Sequence, residues 1–181
     1  MSSLIIPNIK LLLTSDFQNR LFLLILNATN KPPHLVIIIN NKVFSLTVKG
    51  VQMGDSMNSL FKLINQKKIK TLFIELNFPS DYFIENSLNK MKNILLNYNQ
   101  IKIEKITCLN PLKDFFEQEY HIESQKPNFI FELLPLLFQK KIIKNVFHKN
   151  MEFDLENGNY YFQKYTMKEV NENIKILNSK L

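Results

Sequence analysis

Residues His34 to Gly50 read HLVIIINNKVFSLTVKG, and this stretch constrains the fold more than any other. Leu35 to Ile39 is an apolar, mostly β-branched run of the kind that suits a strand. Asn40-Asn41 tolerates the positive φ that a two-residue turn demands. Lys42 to Val48 then alternates, with Phe44, Leu46 and Val48 on one face and Val43, Ser45 and Thr47 on the other. The stretch predicts a β-hairpin with one face fully apolar.

The flanks extend this hairpin into a domain. Lys31-Pro32-Pro33 removes two backbone donors and fixes two φ angles, which sets a boundary. Residues 1–32 form an N-terminal lead-in, in which NIKLLLTSDFQNRLFLLIL admits two readings. One is a strand, a turn at Ser15-Asp16 and a second strand; the other is a helix over 16–26. After the hairpin, Gly50 and Gly54 mark a loop. Asp55 or Ser56 can cap a helix carrying Met57, Leu60, Phe61 and Ile64 at i, i+3, i+4 and i+7. TLFIEL (71–76) is a strand, Asn77-Phe78-Pro79 a turn, and Ser80 a cap for a helix with Ile84, Leu88, Met91 and Leu95 inward. IKIEKITC (101–108) reads as a further strand. Residues 33–112 are therefore expected to be an α/β core domain, a mixed sheet in the order β-β-α-β-α-β.

Residues 113–181 change texture and read as an α+β C-terminal extension. LKDFFEQEY suggests a short helix, and FIFELLPLLFQKKIIKNVF a helix kinked near Pro135. MEFDLENGNYYFQKYT suggests a second hairpin turning on Asn157-Gly158, and MKEVNENIKILNSKL a terminal helix with Val170, Ile174 and Leu177 on one side.

Few residues suggest chemistry. Two-metal nucleases need carboxylates converging from neighbouring strands, yet HLVIII and KVFSLTV carry none and Glu75 stands alone in TLFIEL. With three glycines the chain of 181 residues holds neither GxxxxGK[ST] nor GxGxxG. His34, His121 and His148 are far apart and outside any HxxxH setting. Cys108 is the one cysteine, so neither an internal disulfide nor a thiolate cluster can form. A hydrolase would require Glu75, Asp81 and Asp114 to converge from separate elements. No cofactor, metal or small-molecule substrate is expected. The apolar start is interrupted by Lys10, Asp16 and Arg20 well short of the ~20 residues a membrane span needs, so no membrane association is expected.

Charge points elsewhere. The formal net charge is +7, a balance that favours an anionic partner, nucleic acid ahead of membrane. There are 22 lysines against one arginine, so phosphate contacts would be point-charge contacts rather than bidentate forks. Lys62, Lys67, Lys68 and Lys70 cluster near one helix end, Lys102, Lys105 and Lys113 follow around the last strand, and Lys140, Lys141 and Lys144 form another group. A charge run is more ordinarily a solvated face. The single alanine and arginine beside abundant Asn, Lys, Ile and Phe suggest an AT-biased genome, which would also enrich lysine without any functional cause.

Across 33–112 the chain resembles the ribosomal protein S-eleven family of the small ribosomal subunit. The residues concerned are the paired-Asn hairpin in PHLVIIINNKVFSLTVKG, the helix end and strand of KKIKTLFIEL, and IKIEKITCLNPL. Two departures stand out. Asn77-Phe78-Pro79-Ser80-Asp81 replaces the family's Gly-rich loop, and no strongly basic tail follows Pro111. The resemblance implies a non-enzymatic component of a mitochondrial, organelle-encoded small subunit, with ribosomal RNA and other small-subunit ribosomal proteins as partners. It implies RNA contact by Asn40, Asn41 and Lys42 at the hairpin tip and by Thr107 and Pro111 after the last strand. Lys67, Lys68, Lys70, Lys102 and Lys105 join them on charge. Asn40-Asn41 is more simply explained as a good turn than as a direct RNA contact. The competing class is a soluble protein-protein interaction module of an AT-rich genome, in a bacterial cytoplasm, with no RNA role.

Overall fold

LFLLIL has no polar position, so a helix made from it would have no face to leave in water, whereas a central strand buries both faces. The computed structural model, which describes residues 4–13, 16–79, 84–123 and 127–180, follows that logic. In chain order the elements are β1 (Leu4–Ile6), β2 (Lys10–Leu11), β3 (Leu21–Leu26), β4 (His34–Ile39), β5 (Lys42–Thr47), β6 (Gly50–Ser56), α1 (Met57–Gln66), β7 (Thr71–Leu76), α2 (Ile84–Leu96), α3 (Asn110–Tyr120), α4 (Ile130–Gln139), β8 (Ile143–Lys149), β9 (Tyr160–Phe162) and α5 (Met167–Asn178). The expected mixed α/β class is what forms: a seven-stranded sheet in the order β2-β8-β7-β3-β4-β5-β6, with β1 and β9 paired in a small second sheet.

All pairs in the large sheet are antiparallel except β2 with β8. β3 is the middle strand, and every one of its residues is buried. It pairs with β4 from Leu21–Ile39 to Leu26–His34 and with β7 from Leu21–Leu76 to Leu26–Thr71. The lead-in thus supplies the centre of the sheet, and β8 brings the C-terminal segment in beside β7. One sheet spans all three segments delimited from the sequence.

Period-two alternation assigns the two faces. Phe22 and Leu24 of β3, Ile38 of β4 and Phe73 of β7 lie under α1, which contributes Met57 and Ile64. Phe17, Phe22, Phe61 and Phe73 meet there edge-to-face or stacked, with ring centroids 5.5–6.4 Å apart. Leu21, Leu23 and Ile25 point the other way, into a larger core closed by α2, α3, α4 and α5. Ser56 caps α1 by accepting from the Asn58 N–H at 3.2 Å. Thr166 and Glu169 form a capping box on α5. The expected cap at Ser80 lies outside the described residues.

Several local expectations are corrected. Gly50–Ser56 is a strand rather than a loop, because the outer edge of β5 offers unpaired backbone groups that β6 satisfies. Ile101–Cys108 is not a strand. Both edges of β7 are already taken by β3 and β8, so the segment closes on itself through Lys102 and Ile106, N–H to O at 2.8 and 2.9 Å. The stretch read as one kinked helix divides into α4, with Pro135 inside it, and β8, separated by Lys141 at φ 56°. Asn157-Gly158 does turn the chain, at φ 51° and 74°. The second hairpin closes with one bridge, Glu156 with Asn159, N–H to O at 2.9 Å both ways, and extends no further, since β9 pairs with β1 instead.

Candidate nucleic-acid interface

The hairpin tip is a two-residue turn with Asn40 at φ 48° and Asn41 at φ 62°, the left-handed pair that matches strand twist. It does not project freely. The Asn40 N–H donates to Arg20 O and the Asn41 N–H to Phe17 O, while Asn41 O accepts from the Met57 N–H, each at 3.0 Å. Asn40 Oδ1 accepts from the Asn19 N–H at 3.0 Å. These bonds fasten the turn to the loop before β3 and to the start of α1. Lys42 beside it is exposed. A β-carbon is strained in the left-handed region, so Asn40→Ala and Asn41→Ala are each expected to cost about 1 kcal/mol in urea melts, while Asn41→Gly is expected to be neutral. Alanine variants as stable as the native chain would overturn the turn-based account. Loss of RNA affinity in Asn41→Gly would instead reveal a direct contact.

The remaining candidates lie at the other end of the sheet. Leu21, Ile39 and Leu76 mark the tip's end, and Leu26, His34 and Thr71 the opposite one; five steps of ~3.3 Å separate them by roughly 17 Å. Lys67 and Lys68 are exposed where α1 terminates, and Lys102 and Lys105 are exposed on the turn that follows Ile101. Ile101 is tied to this end by its N–H to Thr47 O at 3.0 Å. Lys70 is half-buried and paired with Asp154 at 2.7 Å. Lys149, at the end of β8, also belongs here, its Nζ 5.9 Å from the Phe61 ring centroid. A lone lysine at a strand end carries no sequence signal that would have singled it out.

Thr107 is half-buried and Pro111 buried at the start of α3. The Thr107 hydroxyl donates to Asn110 Oδ1 at 3.1 Å and accepts from the Leu109 N–H at 3.2 Å, shaping the entry to α3. Pro111 is buried in the first turn of that helix and offers no surface.

The single arginine faces inward. Arg20 Nε donates to Glu75 Oε1 at 3.1 Å, and its guanidinium carbon lies 4.7 Å from the Phe22 ring centroid. Asn145 donates to Glu75 at 2.8 Å, and Lys144 lies 3.4 Å from the same carboxylate. Burial alone would raise the Glu75 carboxyl, but the bonds from Arg20 and Asn145 and the charges of Arg20 and Lys144 outweigh it and hold it below its ordinary value. The cluster lines a cleft of about 400 Å³.

Among the described residues, Glu75 and Asp114 do not converge. Glu75 lies on the α1 side of the sheet, opposite in alternation to Ile74 and Leu76. Asp114 lies on α3, under the other face, accepting from the Tyr98 hydroxyl at 2.6 Å. Asp81 is outside the described residues. Among the described residues no three His, Cys, Asp or Glu side chains are grouped to hold a metal ion. Burial pushes the Cys108 thiol up to about 11 and His34 down to about 4, so near neutral pH both are uncharged. They help line an apolar cleft beside α5.

The described residues thus define a mixed α/β protein with exposed lysines at both ends of its sheet, Lys42, Lys140 and Lys141 at the tip's end and Lys67, Lys68, Lys102 and Lys105 at the other, and with its one arginine engaged in a part-buried ion pair. No family model, curated protein or solved structure matches the chain. No helix among the described residues is long and apolar enough to cross a membrane.

Proposed function

We propose that the protein is a non-enzymatic structural component of a small ribosomal subunit, a rigid α/β body that neutralises and positions ribosomal RNA phosphates. The observation that carries this reading is that exposed Lys67, Lys68, Lys102 and Lys105, with half-buried Lys149, lie toward the same end of the sheet, the first two and Lys149 by α1 on one face and Lys102 and Lys105 beside the core of the other, in a chain of net charge +7. Lysines held on a rigid sheet end can meet several phosphates of one RNA strand, and each contact releases counterions. The composition expected of an AT-rich genome agrees with a mitochondrial assembly, while the resemblance of residues 33–112 to the S-eleven family rests on the hairpin, α1 and β7 alone, because Ile101–Cys108 is not a strand and Gly50–Ser56 adds one. The hairpin tip with Lys42 would be a separate, weaker contact at the far end.

A second observation favours protein neighbours. Leu13, Ile5, Leu11 and Tyr161 are 89, 50, 43 and 40% exposed, on or beside the short strands β1, β2 and β9. In the ribosomal reading these residues pack on adjoining subunit proteins; in an interaction module with no RNA role they would be the whole binding surface. Co-sedimentation of the tagged protein with small-subunit particles through a high-salt gradient separates the two. Material remaining at the top of the gradient would favour the module. With purified RNA, Lys67→Ala/Lys68→Ala is expected to lower the slope of log affinity against log salt by about two. An unchanged slope would remove these lysines from the interface.

A further inference from the structure

Phe153 is 103% exposed, whereas every other phenylalanine among the described residues is buried or half-buried. A single exposed apolar side chain is commonplace; what distinguishes this one is how it is held and what surrounds it. The Asn150 side-chain amide donates to Ile64 O and Ile69 O, both at 3.1 Å, which fastens the chain leaving β8 to the carboxyl end of α1. Met151 is wholly buried, and the Asp154 N–H closes a turn onto Met151 O at 3.0 Å. Asp154 is then clamped by Lys70 at 2.7 Å. Phe153 therefore stands on a turn fixed at both ends, with its ring in water. Lys67 and Lys68 are exposed at the α1 terminus to which that turn is fastened, and Lys70 and Lys149 flank it. The acids of this stretch are Glu152 and Glu156, both exposed, and Asp154, already paired. With Lys70 paired to Asp154, Lys67, Lys68 and Lys149 against Glu152 and Glu156 leave the corner positive.

We propose that Phe153 is a stacking platform for an unpaired base of single-stranded RNA whose phosphates are held by Lys67 and Lys68. This rests on the RNA-binding reading above and specifies which kind of RNA that end of the sheet takes. A phenyl ring offers its face to any base without hydrogen-bond readout, and lysines beside it bind the backbone whatever the sequence. A duplex keeps its bases stacked on one another and presents none to the ring. Alternation of one aromatic with several point charges thus selects loops, bulges and ends.

The test uses the full chain and two labelled RNAs of matched composition, one single-stranded and one a long blunt-ended duplex of two annealed strands without a loop, in anisotropy titrations at several salt concentrations. Phe153→Ala is expected to weaken single-stranded binding by roughly tenfold, to leave duplex binding and the salt slope unchanged, and to melt like the native chain. The chain contains no tryptophan, so Phe153→Trp supplies a unique fluorophore, expected to retain affinity and to be quenched by the single strand. Equal affinities for native and Phe153→Ala chains, or equal losses on both RNAs, overturn the platform while leaving RNA binding in place. A native chain that binds neither RNA overturns both readings. Normal RNA affinity in Phe153→Ala with loss of co-sedimentation would assign the turn to a protein neighbour and overturn the platform.

Discussion

A chain beginning at residue 33, the boundary that Lys31-Pro32-Pro33 suggests, is expected to lose cooperative folding altogether. Such a truncation removes β3, whose six residues are buried and whose backbone is paired on both sides, to β4 and to β7. Burial of large apolar side chains contributes about 1.5–3 kcal/mol each, so the strand alone is worth on the order of 10 kcal/mol. That equals the whole net stability of an ordinary domain. The loss also uncovers Phe73 and Ile38 on one face and Ile74 and Ile37 on the other. It deprives the Asn40-Asn41 turn of its acceptors at Phe17 and Arg20 as well. Far-UV circular dichroism and a thermal melt of residues 33–181 should show reduced ellipticity and no sharp transition. A native-like spectrum with a cooperative melt would show that the rest of the sheet closes without its middle strand.

The second large effect is expected at Arg20. Its guanidinium sits over Phe22 and holds Glu75, a carboxylate with only 5% of its side chain exposed. Breaking a buried pair from one side leaves an uncompensated charge and costs ~3–5 kcal/mol. Asn145 and Lys144 remain near Glu75, so Arg20→Ala is expected at the lower end, about 3 kcal/mol in urea melts at neutral pH. Replacing both partners, Arg20→Met with Glu75→Leu, should recover most of the loss, because no buried charge is then left alone.

The pH dependence has a definite sign. The folded Glu75 carboxyl lies below its ordinary value of 4.5. Its contribution is therefore fully present above about 4.5 and disappears as pH falls through the lower folded value. Arg20→Ala removes both a hydrogen bond and a charge that oppose the burial cost, so ionised Glu75 is what makes this variant unstable. The stability gap between native and Arg20→Ala chains should be widest near neutrality and should narrow below pH 4.5. A gap constant down to acid pH would show that the loss comes from packing of the arginine on Phe22 rather than from the pair.

The elements with strong local signals were legible in the residues themselves. HLVIIINNKVFSLTV forms the hairpin read from it because alternation and a turn dipeptide act within a few residues. Ser56 and Asn157-Gly158 act in the same way, through bonds to near neighbours. LFLLIL was ambiguous because a continuous apolar run has no period, and only the presence of two partner strands makes it a strand. IKIEKITC alternates as a strand should, yet finds no free edge beside β7. GVQMGDS lacks a strand pattern, yet finds one beside β5. The candidate interface behaves likewise. Charge clustering in sequence pointed to Lys67, Lys68 and Lys70, but Thr107 and Pro111 were absorbed into the start of α3, and Phe153 carried no signal as part of MEFDLENG.

By itself the sequence determined the mixed α/β class, the hairpin, most helices and the scarcity of chemistry-bearing residues. These follow from hydrophobic period and side-chain type, which are local properties. Tertiary structure decided that β3 is the middle strand and that Arg20 is spent on Glu75. It also set the hairpin tip and Lys67, Lys68, Lys102 and Lys105 at opposite ends of the sheet, and exposed Phe153 on a turn fastened to the end of α1 that carries Lys67 and Lys68. Those outcomes depend on which strand edges and buried charges remain to be satisfied by residues distant in the chain, and no window of sequence contains both partners.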